Sequence, residues 1–206
     1  MINKENNRIL ELRKLIHRYN YEYYVNSSSS ISDFEFDQLL KELEDLESQF
    51  PELNDPNSPT KRVGGDITKS FKTVSHQYPM LSLANSYSKE DIKDFDTRIR
   101  KIIDVPFSYI CELKYDGVAI SLVYENGQLL RAITRGDGIQ GEEVTNNVRT
   151  ISSIPLILTG NPPKKLEVRG EIMFSKAAFL KLNNQRKKEE LPLFSNPRNT
   201  ASGTLK

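Results

Sequence analysis

The stretch Cys111-Glu-Leu-Lys114-Tyr-Asp-Gly117 runs on into Val118-Ala-Ile-Ser-Leu-Val-Tyr124 and then, across Asn126-Gly127, into Gln128-Leu-Leu-Arg-Ala-Ile-Thr134. Asn-Gly between two apolar, β-branched runs is the strongest short-range signal for a two-residue hairpin, because both central positions of that turn need positive φ. The sheet is therefore antiparallel here, which points to an α+β fold. Upstream, Phe107, Tyr109, Ile110, Cys111 and Leu113 also read as strand, so Lys114 falls where a half-buried sheet turns or kinks. Glu112 and Asp116 stand two residues to either side and share its face of a strand. A lysine held between two carboxylates and partly desolvated is a candidate nucleophile. Against this, Asp116-Gly117 is itself a turn signal, and a lysine beside a turn is simply solvated. On this stretch alone both readings stand.

The same hairpin weighs against a dinucleotide-binding reading further on. Gly136-Asp-Gly138-Ile-Gln-Gly141 matches G-x-G-x-x-G, follows a strand and precedes a predicted helical run from Glu142. That fingerprint needs a parallel strand-helix-strand unit, and a hairpin strand feeding the loop does not supply one. Past Pro155, Leu166 to Phe174 reads as a further strand with Glu167, Arg169 and Glu171 at alternate positions, where they face solvent or serve a site. Ser88 to Arg100 reads as a surface helix capped by Ser88 and Asp91, Ser175 caps another to about Glu190, and Ser195 to Lys206 reads as a loop.

The N-terminal part is helical. Ile9, Leu12, Leu15, Ile16 and Tyr19 recur at helical spacing and the pattern continues to Tyr23. Ser27 to Ser30 breaks it, and Ser32 with Glu35 three residues on forms a capping box for a second helix. That helix carries Phe36, Leu39, Leu40, Leu43, Leu46 and Phe50 on one face, so the two make a helical hairpin. Asp33 and Asp37 lie four apart on a shared face near its start, where acidic residues also complement the helix dipole. Residues 51 to 66, rich in proline, glycine and asparagine, read as a linker with a hinge.

Composition excludes several classes. At 206 residues, with 37% hydrophobic and 28% charged, the chain is an ordinary globular protein of one or two domains. No run approaches the ~18 apolar residues of a membrane span, so no membrane partner is expected and the cytoplasm is the expected location. The single cysteine, Cys111, permits no internal disulfide and no cysteine-based zinc site, and is expected to be a small buried strand residue. His17 and His76 do not make a metal site by spacing. Charge is uneven: residues 1–60 carry 6 Lys/Arg against 12 Asp/Glu, whereas residues 161–206 carry 10 against 4. The acidic front is a poor partner for phosphate backbones, and the basic end can neutralise several.

Four motifs in order carry a resemblance. Lys114-Tyr-Asp116-Gly117 (K-x-D-G), Thr134-Arg135-Gly136-Asp137-Gly138, Val168-Arg169-Gly170-Glu171 and Asn196-Pro197-Arg198-Asn199 together resemble the adenylation domain of the NAD-dependent bacterial DNA ligases. K-x-D-G alone is shared with ATP-dependent ligases and capping enzymes; the set is far more specific, and the likeness runs from about Leu15 to Lys206. His76 to Asn85 is similar to that family's H-x-x-P-M-L-S-L-x-N, which implies that Ser82 and Leu83 frame the adenine. His76 reads equally as a hydrogen-bonded structural histidine. Tyr23, Asp33 and Asp37 match the module that grips the nicotinamide mononucleotide half of NAD; Phe36 stands where a tyrosine is usual and Tyr24 where some members have histidine. The resemblance further implies that Lys114 and Asp116 are catalytic, that Glu112 meets the adenine amine, that Arg135 and Glu171 hold the ribose, and that Arg198 meets phosphates or DNA.

The implied architecture is a helical nicotinamide mononucleotide-binding module over residues 1–60. A nucleotidyltransferase core over residues 61–206, of antiparallel sheets with flanking helices and C-terminally incomplete, follows it. The family's later lysine motifs, oligonucleotide-binding barrel, zinc module, helix-hairpin-helix repeats and BRCT domain are not in this sequence, so the resemblance implies an N-terminal fragment. The implied chemistry is attack of Lys114 Nζ on the α-phosphorus of NAD, release of nicotinamide mononucleotide, and passage of AMP to the 5′-phosphate of nicked double-stranded DNA in replication and repair. Glu112 and Asp116 favour the ammonium form of the lysine, so Mg2+ and further cations are expected to offset them. A monomer is expected. Two alternatives stay open: an NAD-binding module without catalysis, and a covalent nucleotidyltransferase that uses ATP. The aromatic and acidic residues of the helical hairpin speak against ATP, which has no nicotinamide to hold.

Overall fold

The computed structural model describes residues 2–24, 29–62 and 71–206. Helix α1 (Ile2–Tyr24) and helix α2 (Asp33–Gln49) form the predicted hairpin. The capping box is present: Ser32 Oγ accepts from the Glu35 amide at 3.2 Å, and Glu35 Oε2 accepts from the Ser32 amide at 2.9 Å. Ile9, Leu12, Ile16 and Leu43 have no exposed surface, and Phe36, Leu39, Leu40, Leu46, Phe50 and Leu53 pack around them. Inside this contact lies a buried ion pair. Arg13 donates through Nε (2.8 Å) and Nη2 (2.6 Å) to Glu47 Oε1 and again through Nη2 to the Leu53 carbonyl at 2.7 Å.

The segment expected to be a hinge is anchored. Pro51–Leu53 and Pro59–Arg62 are short 3-10 turns, and Asn57, Ser58 and Pro59 are buried. Thr60 Oγ1 donates to Glu47, which ties the segment to α2. Arg62 reaches the other way, donating to the carbonyls of Arg149 (3.3 Å), Ile151 (3.0 Å) and Ile154 (2.9 Å). Proline and asparagine here make tight turns that bury their own polar groups, the packed alternative to a flexible linker. Residues 63–66 of the expected linker lie outside the described residues, as do Ser27 and Ser28.

The second half is built on an antiparallel sheet. Strand β2 (Val118–Glu125) lies between β3 (Gln128–Thr134) and β5 (Lys165–Ile172), antiparallel to both. Asn126 and Gly127 make the predicted turn with φ of 50° and 79°. Strands β1 (Thr73–Ser75) and β4 (Gln140–Glu142) form a second, two-stranded sheet, joined to β3 by a bridge between Ile133 and Glu143. One face of the larger sheet is the core: Ile120, Tyr124, Leu129 and Ala132 pack with Val144, Val148, Leu156 and Leu205. The Tyr124 hydroxyl donates to the Pro155 carbonyl at 2.9 Å, and burial pushes its phenol up to about 12. The rejection of a parallel dinucleotide unit holds, because β3 feeds the glycine loop from an antiparallel pair.

Four further expectations change. Residues 107–113 are not strand: both edges of β2 are occupied by β3 and β5, and residues 108–116 are all exposed. Phe107 and Tyr109 pack instead near helix α3 (Lys89–Arg100), with the Tyr109 hydroxyl donating to Asp96 at 2.7 Å and Arg100 over the Phe107 ring at 5.0 Å. Cys111 is accordingly exposed, not a buried strand residue. The helical run expected from Glu142 starts later: residues 140–142 are strand β4, and helix α4 covers Thr145–Arg149. Ser195 to Lys206 is no loop: after helix α5 (Lys176–Lys188), helix α6 spans Pro197–Leu205, with Asn196 Oδ1 accepting the Asn199 amide at 2.7 Å and Pro197 in the first turn. Asn-Pro is a helix-start signal, and Thr200, Ala201 and Leu205 bury the inner face.

Candidate active site

The face of the sheet opposite the core is polar, and its register explains why. Ala119 pairs with Glu171, Ser121 with Arg169 and Val123 with Glu167, so the three charged residues of β5 share one face while Leu166 and Ile172 face the core. The alternation noticed in the sequence thus puts all three charges on the face opposite the core. Ser121, almost wholly buried, donates to Glu167 Oε1 at 2.9 Å, and Arg169 Nε donates to the same oxygen at 3.0 Å.

Lys114 sits beyond the end of β2 on the exposed loop 108–116. It is exposed, not half-buried as the strand reading implied, because the loop carries it outside the sheet. Glu112 is exposed beside it, and Asp116 pairs with Arg198 of α6 at 3.2 Å. The loop is fixed at its last residue: the Gly117 amide donates to Glu171 Oε1 at 2.9 Å. Gly117 is required there, since a Cβ would come within 2.2 Å of the Ile172 carbonyl oxygen. Lys114, Asp116, Glu171 and Arg198 are therefore gathered around one loop end, from positions spread over eighty-five residues of sequence.

Two further segments converge. The turn after β3 is held by Asp137, whose Oδ1 accepts the amides of Ile139 and Gln140, both at 2.8 Å; these bonds, Gln140 first, hold its carboxyl below the usual range. Gly136 (φ 56°) and Gly138 (φ 93°) supply the left-handed positions. Arg135 precedes them, its amide donating to the Ala119 carbonyl at 3.1 Å and its side chain exposed. Against this turn lies the segment from His76: its amide donates to Ile139 at 2.8 Å, its Nε2 lies 3.1 Å from the Arg135 carbonyl, and the Met80 amide donates to Gly138 at 2.8 Å. His76 thus makes the hydrogen bonds that the structural reading of it expects. Ser82 and Leu83 follow at once and are exposed.

A separate cavity of about 260 Å³ lies between the helices. Tyr19, Tyr23 and Phe36 supply aromatic surface and Asp37 a carboxylate, with Asn20, Ser29, Ile31 and Ser32 completing the wall. Asp33 is the first residue of α2, and its side chain lies outside the described set. The sequence reading found Tyr23, Phe36 and Asp37 but not Tyr19, although Tyr19 stands one helical turn before Tyr23. It noted the alternation of Glu167, Arg169 and Glu171 but assigned a role only to Glu171; the two-residue period of β5 places all three on one face.

Among the described residues no three His, Cys, Asp or Glu side chains come together as a metal cage. No helix among the described residues is long and apolar enough to cross a membrane.

Comparison with known proteins bears on this arrangement. Residues 2–64 match the DNA ligase-like N-terminal NAD+-binding domain, and residues 68–206 match the NAD-dependent DNA ligase adenylation domain. Similar proteins include a DNA ligase of Phocaeicola vulgatus and one of Bacteroides fragilis, each 55% identical over 200 residues, and one of Flavobacterium johnsoniae, 54% identical over 199 residues. These alignments cover 97%, 97% and 96% of this chain respectively and 30% of each relative, so the chain spans about a third of their length.

Proposed function

The chain belongs to the NAD-dependent DNA ligases, and from that premise we propose that it binds NAD and accepts adenylate on Lys114 for the sealing of nicks in duplex DNA. Residues 1–60 form the nicotinamide mononucleotide module and residues 61–206 the nucleotidyltransferase part. Lys114 Nζ, once neutral, attacks the α-phosphorus: an N–P bond forms, the P–O bond to the nicotinamide half breaks, nicotinamide mononucleotide leaves and the amine proton passes to solvent. The AMP then moves to the 5′-phosphate of a nick, and the 3′-hydroxyl displaces it. Magnesium supplies charge neutralisation at the phosphates.

Each residue has a task in this scheme. Tyr23, Asp33, Phe36 and Asp37 hold the nicotinamide end, Ser82, Leu83 and Glu112 frame the adenine, and Arg135 and Glu171 hold the ribose. Asp116 assists at the reacting phosphate beside Lys114. Arg198 exchanges its contact with Asp116 for a phosphate of NAD or DNA, and the basic surplus of residues 161–206 favours the DNA backbone. The expected setting is a cytoplasmic monomer acting in replication and repair.

The observation that carries this reading is the cavity of Tyr19, Tyr23, Phe36 and Asp37. Aromatic faces beside a carboxylate suit a planar cationic ring, which the nicotinamide of NAD is and no part of ATP is. The test is intact-mass measurement of a full-length polypeptide carrying this chain after incubation with magnesium and either nucleotide. An AMP adduct from NAD, absent from Lys114→Ala and Lys114→Arg, is expected. Equal adduct from ATP, or an adduct mapped to another lysine, overturns the reading.

A further inference from the structure

Arg169 stands two residues from Glu171 on the same face of β5 and does not point its guanidinium at the lysine loop. It spans to a different chain segment: Nη1 donates to the Pro79 carbonyl at 2.9 Å and Nη2 to the Tyr78 carbonyl at 2.6 Å, while Nε is held by Glu167 at 3.0 Å. Glu167 is in turn held by the buried Ser121 hydroxyl at 2.9 Å. Each of the three guanidinium nitrogens thus makes one bond, in a fork held at its base by Glu167 and with two successive carbonyls at its tips. Those carbonyls belong to a segment without regular structure, and from Leu81 to Tyr87 every residue is exposed. Arg169 and the Met80–Gly138 bond are consequently the last anchors before Ser82 and Leu83.

We infer that Arg169 is a positioning residue for nucleotide binding: its fork sets where the Leu81–Leu83 segment stands relative to Glu171, and so determines the fit of the adenosine half of the adenylate donor. This rests on the function proposed above. The fork reports the position of β5 to the segment directly, because Arg169 and Glu171 move as one strand. A lysine in its place carries the charge but cannot bridge two carbonyls and Glu167 together. Displacement of a binding edge by about an ångström weakens binding before it touches the reacting atoms, so its signature is in the substrate concentration needed and not in the limiting rate.

The experiment measures lysine-AMP formation against NAD concentration in a full-length polypeptide carrying the chain, for Arg169→Gln, Arg169→Lys and Glu167→Gln. It also follows hydrogen exchange of residues 76–83 in the 206-residue chain. Expected are a rise of about tenfold or more in half-saturating NAD for both Arg169 variants with the limiting rate within about threefold, a smaller rise for Glu167→Gln, and faster exchange at Met80. Sealing of pre-adenylated DNA, which presents the same adenosine half, shows a matching rise in the substrate concentration needed. Rescue by Arg169→Lys, or a fall in limiting rate at unchanged half-saturation, overturns the inference. If Arg169→Gln does not fold, Arg169→Lys is read by the same split. If the wild type forms no adduct, the functional reading fails first, and unchanged exchange over residues 76–83 in the variants overturns the positioning role independently.

Discussion

Glu171 accepts the amide proton of Gly117 at 2.9 Å, across fifty-four positions of sequence. This bond joins the end of β5 to the foot of the loop that carries Lys114 and engages one carboxylate oxygen of Glu171. Glu171→Ala removes the acceptor and should cost about 1–1.5 kcal/mol of stability, with adduct formation down at least about tenfold. Glu171→Gln keeps a carbonyl oxygen and should retain most of the stability. Denaturant melts and intact-mass time courses on both variants check this; equal stability loss in the two removes the role assigned to the bond.

Gly117→Ala tests the close approach itself. The new Cβ would lie 2.2 Å from the Ile172 carbonyl oxygen, a backbone atom that cannot swing aside. A loss of about 2 kcal/mol or more is expected, read as a lowered thermal midpoint. A variant as stable as the parent shows that β5 moves away at little cost.

Asp37 lines the aromatic cavity between the helices and is itself exposed, so its replacement leaves the helical core intact. Asp37→Ala should slow adduct formation from NAD about tenfold while sealing of pre-adenylated DNA remains near wild type, because no nicotinamide takes part in that step. Parallel loss of both activities assigns the residue to folding.

His17 provides a pH signature. Burial, reinforced by the Arg62 charge, lowers it from 6.5 to about 4. Between those values it is neutral in the folded chain and charged in the unfolded one, so stability is whole above about 6.5 and is lost as pH falls toward 4, by about 3 kcal/mol in all. His17→Gln should flatten that part of the stability profile. An unchanged slope in the variant places the acid sensitivity elsewhere.

Arg13→Met leaves Glu47 buried with its cationic partner gone, and a loss of about 3–5 kcal/mol is expected. Adding Glu47→Gln should recover part of it, since the uncompensated charge is then removed. No recovery in the double variant, measured by chemical denaturation, means that packing and not charge dominates.

Local patterns were legible because they depend on neighbours in sequence. Ser32 and Glu35 cap α2, the spacing of Ile9, Leu12 and Ile16 makes a buried stripe, and Asn126-Gly127 closes a hairpin, since each is decided within a few residues by backbone sterics and hydrogen bonding. Even the sharing of a face by Glu167, Arg169 and Glu171 follows from the period of a strand. The motifs around Lys114, Arg135, Glu171 and Arg198 likewise identified the family before any geometry was at hand.

What the chain alone left undecided depends on partners far away. Phe107 to Leu113 has the composition of a strand, but both edges of β2 are taken and Phe107 and Tyr109 find their partners on helix α3, which no local pattern announces. The proline-rich stretch after α2 has the composition of a hinge, but Glu47 and the carbonyls of residues 149–154 supply partners that no local pattern announces. Tertiary structure likewise decided that Arg169 grips Tyr78 and Pro79 and that Glu171 holds Gly117, because a hydrogen bond between residues fifty to ninety positions apart is determined by how the sheet folds back, not by the residues that flank either end.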